Sequence, residues 1–310
     1  MTAESLTPAP LTIPGWRTFL ITPPNLGVTL RITVAQPVMP VVGGDTDAPV
    51  AIVYATDADY LFGTVADAVR VGSYGGDLAP AAVVGIGYAD ETGDLSFVSA
   101  RRFHDFYRGP RRTFDAGAYG RFEFGGADEF LAALKEHVIP AVEQLIGNPD
   151  AARRVLLGTS AGGHFAAYAL AQAPELFQGY AMMSPMLVDP KPLAEGKVSR
   201  ESGEATMVRM IEDLPAGALP AGRRVFLSAG SLEEDPGTMF ADFHINSNAL
   251  RMRVALAQHG VETELVQFAD ESHGSVTGAA TRRALRFLLP PVAAKADWQA
   301  ALAGDSSDER

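Results

Sequence analysis

The feature that most constrains the fold is a set of short, continuously apolar runs rich in β-branched residues. They are PVAIVYATD at 49–57, PAAVVGIGYAD at 80–90 and RRVLLGTS at 153–160. Such runs are typical of strands buried on both faces of a parallel sheet, whereas half-exposed strands alternate apolar and polar residues. The run VTLRITVAQPV at 28–38 alternates in this way. We therefore expect a mainly parallel sheet with an antiparallel N-terminal edge.

Helical patterns separate these runs. Residues 127–147 carry apolar side chains at steps of three and four, which predicts a helix with one apolar face, kinked by Pro140. Further helical segments follow the later strands, at 161–174, 248–260 and 280–290. Strands that alternate with helices predict an α/β fold, with helices covering both faces of the sheet.

The chain of 310 residues lies within the range of one large α/β domain. We predict a flexible leader over 1–15, a domain over 16–292 and a C-terminal tail over 293–310. Residues 188–223 are polar, with scattered Pro and Gly, and are interpreted as an insertion near the active site that includes a short helix. The sequence does not indicate an oligomeric state.

Composition excludes several classes of function. The net charge is −12, so a phosphate-binding surface for nucleic acid is not expected. No apolar stretch has the length of a membrane span, and the N-terminus has neither a basic start nor an apolar signal core. The chain has no cysteine, which excludes disulfides and a thiolate nucleophile and suits a reducing compartment. We expect a cytoplasmic protein that does not bind membranes.

The segment Gly158-Thr159-Ser160-Ala161-Gly162 holds a serine between two glycines. The G-x-S-x-G pattern alone is weak, and an ordinary glycine-rich turn is the alternative. Here, however, a buried strand leads in and a helix of small residues leads out, as in a nucleophile elbow. We predict that Ser160 is a nucleophile and that the backbone N–H of Ala161, at the helix N-terminus, binds an oxyanion.

A serine nucleophile needs a base, and His273 is the best placed of the six histidines. It lies in FADESHGS, just after the last predicted strand, at the carboxyl edge of the sheet. His164, one helical turn beyond Ser160, is assigned to packing or to a substrate-binding wall. The remaining histidines are His104, His137, His244 and His259.

The third catalytic member is an acid that orients the imidazole. The chain order Ser, acid, His places it in the run SLEEDPG, where Glu233, Glu234 and Asp235 all remain candidates. A second oxyanion donor is expected from the backbone of Gly87 or Tyr88, because the strand that ends there is expected to lie beside the elbow.

Residues 120–186, which include the elbow and the run APELFQGYAMMSP, resemble the putative esterase family of α/β hydrolases. This branch includes enterochelin (siderophore) esterases, S-formylglutathione hydrolases, feruloyl esterases and mycolyltransferases. The order of VVGIGY, RRFHDF, the elbow, SAGSLEE and ESHGS is most similar to the enterochelin-esterase-like subgroup. The resemblance covers residues 16–290 and implies an α/β-hydrolase fold.

The resemblance implies Ser160 as nucleophile, His273 as base and Glu233, three residues after Gly230, as acid. Some siderophore-hydrolysing relatives manage with a Ser–His pair. In RRFHDF, Arg102 is expected either to contact the substrate or to form a structural pair with Asp105.

Together these features predict a serine hydrolase that cleaves carboxylic esters of small molecules, of siderophore or of aryl or short-chain type, through an acyl-enzyme. No cofactor is expected, and no metal, because the histidines lack metal-ligand spacing. The alternatives are an acyltransferase on the same scaffold and a non-catalytic binding module. A non-catalytic relative is expected to have lost Ser160 or His273.

Overall fold

A computed structural model describes residues 12–37, 49–89, 95–115, 121–189, 204–238 and 240–291. Most of the predicted leader, the predicted tail and residues 190–203 of the predicted insertion lie outside the described residues. In the described part of the insertion, a short helix is present as expected.

The strands form one large sheet and one hairpin. The large sheet contains β1 (Trp16–Ile21), β2 (Leu30–Ala35), β3 (Val50–Ala55), β4 (Ala81–Tyr88), β7 (Pro149–Thr159), β8 (Gly179–Met183), β9 (Arg224–Gly230) and β10 (Glu262–Phe268). The hairpin contains β5 (Arg112–Asp115) and β6 (Arg121–Phe124).

The strand order in the large sheet is β1-β2-β4-β3-β7-β8-β9-β10. The β1–β2 and β2–β4 pairs are antiparallel, and every later pair is parallel. The prediction of a mainly parallel sheet with an antiparallel N-terminal edge is confirmed. Because the parallel strands all point the same way, the loops after β3, β4, β7, β8, β9 and β10 lie at one edge of the sheet.

The helices cover both faces of this sheet. They are α1 (Ala58–Tyr74), α2 (Leu95–Phe106), α3 (Ala127–Ala133), α4 (Ile139–Ile146), α5 (Ala161–Gln172), α6 (Thr206–Glu212), α7 (Ile245–Gln258) and α8 (Val276–Leu288). Helices α1 and α8 contribute to one apolar cluster, and α2 to α7 contribute to the other. Along β3, Ile52 and Tyr54 point into the second cluster, and Val53 and Ala55 point into the first. A strand buried on both faces needs the continuous apolar run that the sequence shows.

The helical segment predicted over 127–147 is interrupted. A π-helical turn, Leu134–Val138, separates α3 from α4, and Pro140 lies in the first turn of α4. Proline has no N–H to donate, and its ring clashes with the carbonyl four residues earlier. The wider turn accommodates both defects, so the predicted irregularity takes the form of a π-bulge.

In the described part of the chain, no helix combines the length and apolar character needed to cross a bilayer.

Candidate active site

Ser160 occupies a strained turn between β7 and α5. Its backbone has φ 58° and ψ −118°, in a region that residues with a side chain rarely adopt. Main-chain hydrogen bonds hold this turn. The Ser160 N–H donates to the Met183 carbonyl (2.9 Å), and the Ser160 carbonyl accepts from the N–H groups of His164 and Met186 (3.1 Å each). The turn is therefore fixed to both β8 and α5.

Close backbone packing explains the two glycines of the elbow. A Cβ on Gly158 would overlap the backbone of Gly162, and a Cβ on Gly162 would press on the side chains of Thr56 and Asp57. Ala161 begins α5, so its N–H lies in the first helical turn, where backbone donors have no partner within the helix. The elbow thus brings the serine, a helix N-terminus and the loop after β3 together.

The Ser160 hydroxyl is enclosed, with the residue only 9% exposed. Its Oγ lies 3.1 Å from the Sδ of Met186, which follows β8. A thioether is a weak acceptor, and the hydroxyl donates to it here.

His273 lies between β10 and α8 and contacts a buried carboxylate. Its Nδ1 is 2.5 Å from Oε1 of Glu233, which follows β9 and is 1% exposed. The other oxygen of Glu233 accepts hydrogen bonds from the Gly230 N–H (2.7 Å) and the Ser184 hydroxyl (3.1 Å). The ring of Phe240 stacks on the imidazole at 3.8 Å. These contacts fix the orientation of the imidazole.

Gly230 allows the two loops of this pair to pack together. A Cβ at Gly230 would overlap the carbonyl of Glu271, two residues before His273. The Glu271 carbonyl also accepts a hydrogen bond from the Leu232 N–H at 3.1 Å. The glycine at the end of β9 therefore brings the segment with Glu233 against the segment with His273.

The other two acidic candidates make different contacts. Glu234 accepts from the N–H and the hydroxyl of Ser247 in the first turn of α7, at 2.7 and 2.9 Å. Asp235 is exposed. Of the three acids left open by the chain order, Glu233 is the one whose carboxylate contacts His273.

The structure corrects the placement of Gly87 and Tyr88. They end β4, and β3 lies between β4 and β7, so the expectation that β4 ends beside the elbow is wrong. The Tyr88 N–H points instead at Asp59, 3.4 Å away. The strand beside β7 on this side is β3. The loop after it contacts the first turn of α5 through Thr56 and Asp57.

Of the two alternatives for Arg102, the structural pair with Asp105 is wrong, and contact with the substrate remains a prediction. Arg102 makes a two-point contact with Asp57, Nε to Oδ1 at 2.7 Å and Nη2 to Oδ2 at 2.9 Å. Burial opposes the charge of Arg102, but the Asp57 carboxylate outweighs that effect and raises the pKa of Arg102 above its ordinary value. The loop after β3 is thus joined to α2 by an ion pair that sequence reasoning did not find.

Asp105 has other partners. It accepts hydrogen bonds from Arg101 (2.8 Å) and the Tyr88 hydroxyl (2.9 Å), and it contacts His104 Nδ1 (2.6 Å). Burial, and then the charge of Asp105, raise the pKa of Tyr88 well above its ordinary value. Both Arg101 and Arg102 therefore have their charge paired with a carboxylate.

His164 is completely buried beside the elbow. Its Nδ1 lies 2.8 Å from the Met186 carbonyl, and its Nε2 lies 3.6 Å from Oδ1 of Asp189. The ring packs against Tyr107 with 4.2 Å between centroids. Burial lowers the pKa of His164. The imidazole is directed at the backbone of Met186, and a role as a substrate wall remains a prediction.

No group of three or more His, Asp or Glu side chains suited to a metal ion occurs among the described residues.

The strand order and the strand-to-helix elbow define the α/β-hydrolase class. A family model described as putative esterase matches residues 46–275. Ferri-bacillibactin esterase BesA of Bacillus subtilis is 30% identical over 286 residues, which cover 90% of this chain and 91% of that protein. The chain belongs to the putative esterase family and is a carboxylic ester hydrolase.

Further relatives agree with this assignment. The siderophore enterobactin esterase of Emericella nidulans is 28% identical over 229 residues, 64% of this chain and 72% of that protein. Siderophore hydrolase EstB from Aspergillus nidulans superposes with a TM-score of 0.71 at 22% identity, covering 93% of this chain and 99% of that one. The BES protein from Bacillus cereus gives 0.70 at 20% identity, with the same coverage. The structural likeness supports the fold.

Proposed function

We propose that this protein is a serine esterase in which Ser160 is the nucleophile, His273 the general base and Glu233 the acid that orients the base. The observation that carries the proposal is the contact between His273 Nδ1 and the buried Glu233 carboxylate, at the sheet edge that also bears the strained Ser160 elbow. A serine after β7, an acid after β9 and a histidine after β10, all parallel strands of one sheet, are the groups that acyl transfer requires.

The proposed reaction begins with proton transfer from Ser160 to His273. Because Nδ1 faces a carboxylate, it carries a proton, and Nε2 has the free lone pair. Oγ attacks the ester carbonyl, and the oxyanion accepts one hydrogen bond from the Ala161 N–H and a second from the N–H of Asp57, in the loop after β3, or of Ala58, the first residue of α1. The imidazolium then protonates the departing alcohol. Water hydrolyses the acyl-enzyme with the same base.

This reaction requires the hydroxyl of Ser160 to turn from Met186 Sδ toward Nε2 of His273. Catalytic hydrogen bonds are commonly loose or misdirected before substrate binds, so the contact with sulfur is compatible with the role.

For the substrate, we propose an ester bond of a siderophore. The relatives named above are a ferri-bacillibactin esterase and an enterobactin esterase, and an Aspergillus fumigatus protein named for triacetylfusarinine C is 32% identical over 143 residues, 45% of each chain. Arg101 and Arg102 are paired with carboxylates. We therefore assign attraction of an anionic substrate to Arg108, which is exposed. Burial is the main cause that lowers the pKa of His164, and the charge of Arg108 lowers it further.

Labelling with a fluorophosphonate tests the nucleophile. We expect one adduct on the wild-type protein, located at Ser160 by peptide mass spectrometry, and none on folded Ser160→Ala. A folded wild-type protein that takes no label contradicts the proposal and favours a binding module.

The rates of hydrolysis of a panel of esters test the proposed siderophore substrate. The panel contains iron-loaded and iron-free macrolactone siderophores, feruloyl esters and p-nitrophenyl esters, each with and without an added alcohol. We expect the siderophores to have the highest kcat/KM and to yield the free acid. A preference for aryl or short-chain esters would reject the siderophore assignment. New esters of the added alcohol as the main product would identify an acyltransferase.

A further inference from the structure

We propose that the side chain of Met186 sets the largest acyl group that the site accepts. This inference rests on the proposed serine esterase, because it assigns a substrate-facing role to the residue that touches the proposed nucleophile. Neither the G-x-S-x-G pattern nor the spacing of the triad candidates identified Met186.

Met186 is attached to Ser160 by both its main chain and its side chain. Its N–H donates to the Ser160 carbonyl at 3.1 Å, and its Sδ lies 3.1 Å from Oγ. The residue is 6% exposed, so the thioether forms part of the wall around the hydroxyl. An ester carbon that bonds to Oγ must place one of its substituents where this wall lies.

His164 fixes the other end of the Met186 backbone. Its Nδ1 donates to the Met186 carbonyl at 2.8 Å, and its ring is completely buried against Tyr107. The Met186 N–H is bound to the turn that holds Ser160, and the Met186 C=O is bound to His164 on α5. The side chain is therefore the part of Met186 that can move. An unbranched thioether with three rotatable bonds can yield to a small group and obstructs a larger one.

The geometry of the tetrahedral intermediate indicates which substituent meets Met186. Its carbon carries Oγ, the oxyanion, the alcohol oxygen and the acyl group. The oxyanion faces the Ala161 N–H, and the alcohol oxygen must face His273, which protonates it. His273 is held toward β9 by Glu233 and Phe240, whereas Met186 is held toward α5 by His164. The remaining substituent, the acyl group, is therefore the one that lies against the side chain of Met186.

Two ester series separate the acyl side from the alcohol side. The first varies the acyl group from acetyl to octanoyl with p-nitrophenol as the constant leaving group, and the second varies the alcohol with a constant acetyl group. The variants are Met186→Ala, Met186→Leu and Met252→Ala, which truncates a buried methionine on α7. The readout is the ratio of kcat/KM for the long ester to that for the short ester, because this ratio does not depend on the fraction of folded protein.

We expect Met186→Ala to raise the acyl ratio about tenfold or more, since one methylene in an apolar pocket changes selectivity by about 10- to 200-fold. Met186→Leu, which retains the bulk, and Met252→Ala should keep the acyl ratio within about threefold of wild type. If the alanine variant does not fold, Met186→Val takes its place, with a smaller increase in the same direction.

An unchanged acyl ratio in the truncated variant, or a change confined to the alcohol series, would overturn the role of Met186 and leave the serine esterase intact. Ser160→Ala is measured in parallel. If it retains wild-type hydrolysis of the whole panel, the proposed function fails, and the inference about Met186 fails with it.

Discussion

Two histidine–carboxylate pairs in this molecule look alike and differ in what surrounds them. His273 contacts Glu233 and His104 contacts Asp105, each through Nδ1, at 2.5 and 2.6 Å. Both carboxylates are buried. The first pair lies in loops at the carboxyl edge of the sheet, and the histidine of the second lies on α2 with Gly126 packed on its ring.

The difference lies in how each carboxylate charge is compensated. Asp105 has the guanidinium of Arg101 at 2.8 Å, so a cation is present whether or not His104 is protonated. The other donors to Glu233 are the neutral Gly230 N–H and Ser184 hydroxyl, and no Lys or Arg contacts it within the described part of the chain. A buried charge without a cation is costly, so we expect Glu233 to stabilise an imidazolium formed during the reaction more than Asp105 would. We propose that the availability of the acid, rather than the contact alone, gives the His273–Glu233 pair its catalytic role.

The largest expected effect is that of removing the base. We expect His273→Ala to lower kcat/KM by about 10⁴-fold or more, as loss of a triad histidine generally does, because no group then accepts the Ser160 proton. His104→Ala is the matched variant, and its activity per folded molecule should remain within about tenfold of wild type. Initial rates on one ester, with the active fraction counted by fluorophosphonate labelling of wild type and His104→Ala, check both. A loss below tenfold for His273→Ala would remove the distinction between the pairs.

The acid should have the second-largest effect. Glu233→Gln keeps the size of the side chain and removes the charge that stabilises the imidazolium, so we expect kcat to fall by about 10³- to 10⁴-fold. Glu234→Gln, in the adjacent position, should match the wild type. Equal activity of Glu233→Gln and wild type would support a Ser–His dyad, whereas a larger loss from Glu234→Gln would move the acid.

The free energy of unfolding should rank the two carboxylates in the opposite order to activity, with Asp105 contributing more than Glu233. Asp105→Ala leaves the partly buried Arg101 guanidinium and the buried Tyr88 hydroxyl without their acceptor, so we expect a loss of about 3–5 kcal/mol of unfolding free energy. Glu233→Ala leaves only neutral donors and an imidazole that can stay uncharged, and should cost about 1–3 kcal/mol. Urea unfolding of the two variants measures the difference. A greater loss of stability from Glu233→Ala would contradict the assignment of structural and catalytic roles.

The local sequence predicted the parts of this site that depend on neighbouring residues. The apolar runs predicted the buried strands, and the flanking glycines and chain order singled out Ser160 and His273 as candidates. The order of strands in the sheet is not a local property, and for that reason the end of β4 was placed beside the elbow where β3 lies.

The ion pairs of α2 were missed for a related reason. Arg102 and Asp57 are 45 residues apart, and no spacing rule links an arginine on a helix to an acid in a distant loop. Asp105, only three residues away on the same helix, was the nearer partner in sequence. Met186 could not be identified from the sequence either, because a methionine in an apolar run is ordinarily part of a core. Only the fold brings its sulfur to the Oγ of Ser160.

The smallest expected effect concerns a third histidine, His164, and the pH dependence of the unfolding free energy. His164 lies 3.6 Å from Asp189, but its burial lowers its pKa below the ordinary value of 6.5, so this acid does not hold a charge on the ring as we propose Glu233 does. Because the unfolded chain takes up a proton near pH 6.5 and the folded protein resists it, His164 should reduce stability as the pH falls below about 6.5, by at most about 1.4 kcal/mol per pH unit. His164→Asn does not titrate and can still donate to the Met186 carbonyl. Urea unfolding at pH 7.5 and 5.5 should therefore show a smaller loss for this variant than for wild type. An equal or steeper loss would mean that His164 is charged in the folded protein, and that the availability of a carboxylate does not separate the three histidines.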